Sequence, residues 1–317
     1  MAIKPLSFSK LKTVPLASRK VDSDSKDFGA PFQPGTGFES FLCSLPNLGC
    51  AGDLFRLRDA ITGAYRNKHA IILACGGHVF DSGLGPLICR LIEQKVVTGL
   101  ALTGAALEQD VEIAISGRTV TARERELNEG SYFMTEETGR LINDAINFGA
   151  LENWGIGRSV GKRLQDSELE HLDHSVVATA FRYGIPVSVH PAIGADAFCF
   201  HPAAHGESLG VAGMVDFRLL AGMMAAASHG VVINIASSVV MPRVLLQAVD
   251  AARNVGKTIE SITTAVIDPA ASSSAVTDVV SCLALPDGAG FWLSGPDEIL
   301  VPLLFAAVLE ALGDDLA

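Results

Sequence analysis

The stretch "ACGGHVFDSGLGPLI", Ala74 to Ile88, decides how the rest of the chain is read. It closes an apolar run, Ala70 to Cys75, short and apolar throughout, as a strand buried on both faces should be. Two glycines follow and allow a tight turn. Leu84, Leu87, Ile88, Leu91 and Ile92 then share one helical face. Strand, glycine turn and helix are the repeating unit of an α/β fold. The turn carries three side chains capable of chemistry, His78, Asp81 and Ser82. A glycine turn feeding a helix can hold an anion. Because "GGHVFDSG" is not a G-x-G-x-x-G, it fits a capped turn as well as a dinucleotide site.

The same unit recurs outward from this stretch. Apolar runs of strand length lie at Gly99 to Thr103, Pro186 to His190, Gly230 to Ile235 and Ile262 to Val266, and "FWLSG" near Phe291 is a sixth candidate. Helical patterns lie between them, as in Leu141, Ile142, Ala145 and Ile146, in "VDFRLLAGMMAAASHG" stopping at Gly230, and in "MPRVLLQAVDAARNVG" with Pro242 near its first turn and Gly256 at its stop. Repeated strand–helix–strand units predict a Rossmann-like, doubly wound, mostly parallel sheet covered on both faces. Residues 1–35 are polar and rich in Ser, Gly and Pro and read as an N-terminal arm; residues 36–317 read as a single α/β domain.

The bulk properties bound the function. A chain of 317 residues with 49% hydrophobic content can bury a full core. No run of eighteen apolar residues predicts a membrane span, and no apolar signal core follows the first lysines. A net charge of −11 argues against nucleic acid or an anionic membrane as partner. None of the six cysteines forms a C-x-x-C pair, which fits a reducing, cytoplasmic compartment.

In doubly wound sheets ligands bind outside the carboxyl ends of the strands. That rule selects five segments: Gly76 to Gly83, Gly104 to Asp110, Pro191 to His205, Ala236 to Ser238 and Asp268 to Ser274. They hold much of the chain's His, Asp and Ser. In "TGAALEQDVEIAISG" the acids Glu108, Asp110 and Glu112 crowd a helix start, where the dipole favours carboxylates; Glu108 and Asp110 lie closer to the expected edge. "VHPAIGADAFCFHPAAHG" gathers His190, Asp196, His201 and His205. Such groups serve acid–base work or a metal, yet the spacing matches no standard zinc pattern. Ser159 in "GIGRSVG" matches G-x-S-x-G without a preceding strand and is read as chance. Ser237 and Ser238 in "NIASSVVMP" let a ligand approach the backbone, or cap a helix. Asp268 in "IDPAASSSAV" suits a ribose hydroxyl pair or a polar loop.

Together these segments resemble the deoxyhypusine synthase family, from about Ala70 to the C-terminus. That resemblance implies a Rossmann-like fold, NAD as cofactor, and a homodimer or homotetramer with sites at subunit interfaces. "HVFDSGLGPLI" sits where the family has its first NAD-contacting turn, which points to Gly77, His78, Asp81 and Ser82. "VTGLALTGAALEQD" is similar to the segment after the family's second strand, placing Thr103, Gly104, Ala105 and Glu108 at the cofactor, with Gln109 near cofactor and substrate. The polyamine-binding Asp would be Asp196, the strand end over the dinucleotide would be Ser237 and Ser238, and a further loop would bring Thr263, Thr264 and Asp268. Asp297, at the final helix start, would meet the adenosine end.

The departures limit what the resemblance implies. The family's imine-forming lysine follows a Trp-Gly pair; here "VVSCLALPDG" has Leu283 and Ala284 where Gly and Lys belong, and the last lysine of the chain is Lys257. The family's Lys-His pair after the glycine-rich strand is replaced by Met241 and Pro242. Without an amine nucleophile the covalent step has no agent. Deoxyhypusine synthesis is therefore not expected. His78 and the other added imidazoles also make the first strand ends similar to the NAD-using ornithine cyclodeaminase part of arginine dihydrolase proteins. The expectation is an NAD-dependent enzyme acting on a small amine or hydroxy compound, with His78, His190 and His201 as acid–base groups and Asp196 holding the substrate. A metal-dependent hydrolase using the His/Asp cluster and a non-catalytic ligand-binding protein are the alternatives.

Overall fold

A computed structural model of the chain describes residues 3–119, 124–130, 135–284 and 288–316. Six strands are formed: β1 (Ile71–Cys75), β2 (Gly99–Thr103), β3 (Val187–His190), β4 (Val231–Ile235), β5 (Thr263–Ile267) and β6 (Gly290–Leu293). All pair in parallel, in the order β3-β2-β1-β4-β5-β6. This is the doubly wound dinucleotide order, in which the chain reverses direction between β1 and β4. Each of the six apolar runs read from the sequence is a strand, within a residue or two at its ends.

The helices are α1 (Phe38–Ser44), α2 (Gly49–Arg66), α3 (His78–Asp81), α4 (Gly85–Glu93), α5 (Gly104–Ser116), α6 (Glu124–Glu129), α7 (Glu136–Leu151), α8 (Ile156–Gln165), α9 (Val176–Tyr183), α10 (Gly206–Ala225), α11 (Val240–Asn254), α12 (Ser273–Val276) and α13 (Asp297–Leu312). Strand alternation divides the core in two. Ile71, Leu73 and Cys75 of β1 point to one face, where Leu57 of α2, Ile88 of α4, Leu107 of α5 and Leu304 of α13 cover them. Ile72 and Ala74 point to the other, under Leu220 and Met224 of α10 and Leu245 of α11. Both faces are apolar because both are covered, which is why the strands read as continuous apolar runs.

α10 alone among the described helices has the length and apolar composition of a membrane span. Its apolar side lies on the sheet through Leu220, Met223 and Met224. It ends at Ala225, short of the stop expected at Gly230, which instead leads into β4. Residues 3–35 hold only three-residue 3-10 turns and are exposed almost throughout.

Candidate functional site

Parallel pairing brings the strand ends into line. Cys75 lies opposite Leu102 and Ile235, Thr103 opposite His190, Ile235 opposite Ile267, and Ile267 opposite Leu293. The five segments selected from the sequence therefore leave the sheet at one edge. At its centre, between β1 and β4, the Gly76 amide donates to the Ile235 carbonyl at 2.9 Å. A Cβ at Gly76 would collide with the carbonyl of Ala236, so only glycine closes this turn. Ala236 itself has φ of 51°, a left-handed conformation that costs an L-residue about 1 kcal/mol or more. Such strain tends to be retained where a ligand site fixes the backbone.

Small polar groups rim this crevice. Ser237 Oγ accepts from the Met241 amide at 3.3 Å and so ties the β4 end to the first turn of α11. Ser238 Oγ donates to Asp268 Oδ2 at 2.6 Å, and the Ala270 amide donates to Asp268 Oδ1 at 2.8 Å. Thr103 Oγ1 accepts from the Ala106 amide at 3.1 Å and caps α5. Gly104 lies directly beneath Asp196, whose carboxylate occupies the space a Cβ would need.

Beside the crevice, α5, the start of α7 and the loop after β3 enclose a cavity of about 100 Å³. Glu108, Gln109, Glu112, Thr138, Phe198 and His201 line it, and among the described residues no lysine or arginine does. Glu108 Oε1 accepts from the Phe198 amide at 2.7 Å. Burial pushes its carboxyl up to about 7; the Phe198 bond opposes this, and the nearby Asp196 and Glu112 carboxylates add to it. Burial also raises Asp196, whose Oδ2 accepts from the Ala192 amide at 2.7 Å, and Glu112, which accepts from Thr135 Oγ1 at 3.2 Å. His201 Nδ1 accepts from the Ala203 amide at 3.1 Å, which leaves the proton on Nε2 in the neutral ring. That Nε2 is buried, without a hydrogen-bond partner, and 3.6 Å from Glu136 Oε2. The neighbouring thiol of Cys199 is pushed up to about 12 by burial and is no nucleophile at neutral pH.

The first turn reaches two other elements. Asp81 Oδ2 accepts from Gln109 Nε2 at 2.8 Å, tying the turn to α5. His78 Nε2 lies 3.2 Å from Ser82 Oγ and 3.5 Å from Asp297 Oδ1, at the start of α13. Asp297 is fully buried, and burial raises its carboxyl while His78 pulls it down.

Several expectations need correction. Among the described residues His190, Asp196, His201 and His205 do not form a metal-capable group. His190 is buried with Nε2 3.1 Å from Ser188 Oγ, is held down to about 4 by burial, and does not line the cavity. His205 is exposed at the start of α10. His78 faces Asp297 rather than the cavity. The His/Asp cluster a metal-dependent hydrolase would need is thus dispersed; among the described residues the three metal-capable groups that gather are His78, Asp297 and Glu298. Thr263 and Thr264 sit at the amino end of β5, roughly 10 Å or more from the edge where Asp268 lies. Thr264 Oγ1 donates to the Val279 carbonyl at 2.8 Å. Asp110 is structural: it accepts from Ser175 Oγ at 2.6 Å and the Val176 amide at 2.7 Å and caps α9. Ser159 lies buried within α8 and donates to the Gly155 carbonyl at 2.7 Å, as a chance motif would.

The stretch that replaces the lysine segment runs past Ala284 into residues 285–287, outside the described ones; Leu283 and Ala284 are buried. Glu136, Glu298 and Thr138 also belong to these sites and carry no signal in the local sequence. Of these, Glu136 and Thr138 sit in the first turn of a helix whose later apolar face was read correctly.

No protein-family model matches the chain, and no curated protein matches it in sequence. Solved structures do. A protein assigned to the LOR/SDH class from Methanococcus maripaludis S2 gives a TM-score of 0.52 at 15% identity, over 82% of this chain and 70% of that one. A protein assigned as a deoxyhypusine synthase from Entamoeba histolytica gives 0.52 at 15% identity, over 88% and 95%. AgrE, solved as a ternary complex with ornithine and NAD+, gives 0.53 at 14% identity over 83% of this chain and 33% of AgrE, so the chain spans about a third of AgrE's length. At these identities the likeness is one of fold. The chain has the deoxyhypusine synthase-like α/β fold that its sequence resembles.

Proposed function

We propose that this deoxyhypusine synthase-like chain binds NAD across the β1/β4 strand ends and uses it in redox chemistry on a small amine or hydroxy compound. The observation that carries the reading is the junction of two features at one edge. A glycine-closed crevice sits at the reversal point of the strand order, and an acid-lined cavity lies directly beside it. The fold shared with AgrE, itself solved with NAD+, supports the same reading. The residues fit the cofactor: Gly77, Ser237 and Ser238 are small residues at the β1 and β4 ends, Thr103, Gly104 and Ala105 begin a helix at the rim, and Asp268 is a carboxylate at the β5 end.

Bound NAD supplies hydride acceptance from a carbon bearing the amine or hydroxyl group. The protein's share is positioning and proton transfer. Glu108, with its carboxyl near pH 7, can take a proton from an amine or hydroxyl in the cavity and return it. His201 presents an Nε2–H fixed by the bond at Nδ1. Glu112 in the cavity wall, and Asp196 close to Glu108 behind it, add acidic groups that suit a cationic substrate. No lysine lines the cavity, so an enzyme-bound imine is not part of the reaction. The test is an optical assay for NAD reduction across small amines and hydroxy acids. Turnover is expected for the parent, and NAD binding with no turnover for any of them would favour the non-catalytic binding protein instead.

A further inference from the structure

The geometry points to a divalent metal site formed by His78, Asp297 and Glu298, where α3 meets the first turn of α13. One ligand atom from each residue lies within 4.8 Å of the others. Metal–ligand bonds of about 2.0–2.2 Å set ligand atoms roughly 3.4 Å apart in a tetrahedral site. The His78 Nε2 to Asp297 Oδ1 separation, 3.5 Å, already matches. His78 and Glu298 are both exposed, so rotation of their side chains can close the remainder. Binding would take His78 Nε2 from its contact with Ser82 Oγ.

An independent observation is the state of Asp297. It is fully buried, and neither carboxylate oxygen has a hydrogen-bond partner. A buried carboxylate without donors is strongly disfavoured, and an unfilled acceptor of this kind signals a missing cation or water. The imidazole at 3.5 Å is too far for a good hydrogen bond and faces only one of the two oxygens. Glu298 places a second negative charge beside the first. Preference of acids for a helix N-terminus accounts for an exposed Glu298. It does not account for a buried Asp297 with both acceptors empty.

One imidazole and two carboxylates suit zinc or manganese better than calcium or magnesium. Three protein ligands leave at least one coordination position open towards solvent, where water or a ligand oxygen can bind. The ion ties the β1 turn to the last helix, and this site goes beyond the cofactor reading.

The test uses the full chain, stripped with a chelator and freed of it, with no nucleotide or substrate present. Zn2+ and, separately, Mn2+ are titrated calorimetrically into the parent, His78→Ala and Glu298→Gln. The expected result is one ion per chain in the parent, with affinity weakened more than about tenfold in each variant, since losing a ligand costs at least what losing an outer-shell partner does. The ion should raise the melting temperature of the parent more than that of either variant. Glu298→Gln is at an exposed side chain and should match the parent in metal-free melting, whereas His78→Ala also removes the contact with buried Asp297, so each variant is compared with its own metal-free form. Absence of saturable one-per-chain binding, or variants that bind both ions as tightly as the parent, overturns the site.

Discussion

Under the proposed function Glu108 is the proton-transfer group, because burial sets its proton affinity near neutral pH. Its carboxyl sits at about 7 in the folded protein, well above the ordinary glutamate value, so the folded state holds this proton more tightly than the unfolded chain. Near pH 7 both protonation states are populated, as a group that both accepts and donates a proton requires. Glu108→Gln keeps the shape and removes the ionisation. It should lower kcat by about a hundredfold or more and remove the ionisation near pH 7 from the pH–rate profile. A variant that retains that ionisation would assign it to another group. The histidines show how far residue type alone misleads. Three imidazoles within one stretch suggested convergence, but His190 turns to Ser188, His205 to solvent, and only His201 reaches the cavity. Local sequence fixes which strand end a side chain is near. Which way it turns depends on packing partners far away in the chain.

At the scale of elements the decisive contact is between the β1 and β4 turns. Gly76→Ala would drive a methyl into the Ala236 carbonyl, at a residue already in a left-handed conformation. The substitution should cost about 2 kcal/mol or more in urea unfolding and weaken NAD binding while far-UV circular dichroism still reports the fold. Full stability would mean the turn is looser than described. Much of this level was legible beforehand. Runs such as Ile71–Cys75 and Val231–Ile235 are apolar at every position because helices cover both sheet faces, and that pattern survives in the sequence. Strand order was not legible, because pairing of β1 with β4 joins segments about 160 residues apart. The threonines of β5 show the limit of alignment by resemblance. Thr263 and Thr264 were placed at the ligand edge, but the strand continues to Ile267, and only Asp268 emerges there. The pairing of His78 with Asp297 joins the first turn to the last helix and left no local signal.

For the whole molecule, buried carboxylates set the response to pH. Burial raises Asp110 to about 6, and Glu108 and Asp216, a buried residue of α10 that accepts from the Gly157 and Val189 amides, to about 7. With folded-state values above the unfolded ones, their favourable contribution is complete below about pH 4 and is lost as pH rises through 6 to 7. The melting temperature should therefore be higher by a few degrees at pH 5 than at pH 8. The opposite slope would show that these groups are ionised in the fold. Residues 3–26 are exposed and bury no side chain, so deletion of residues 1–26 should change folding stability by no more than about 0.5 kcal/mol, read from urea midpoints. The proposed dinucleotide site lies at the edge where β1 meets β4. Calorimetric titration of the full chain with NAD tests it most directly. Saturable micromolar binding of one NAD per chain, weakened by Gly76→Ala, is the predicted result; a folded parent that takes up no NAD at millimolar concentration would contradict it.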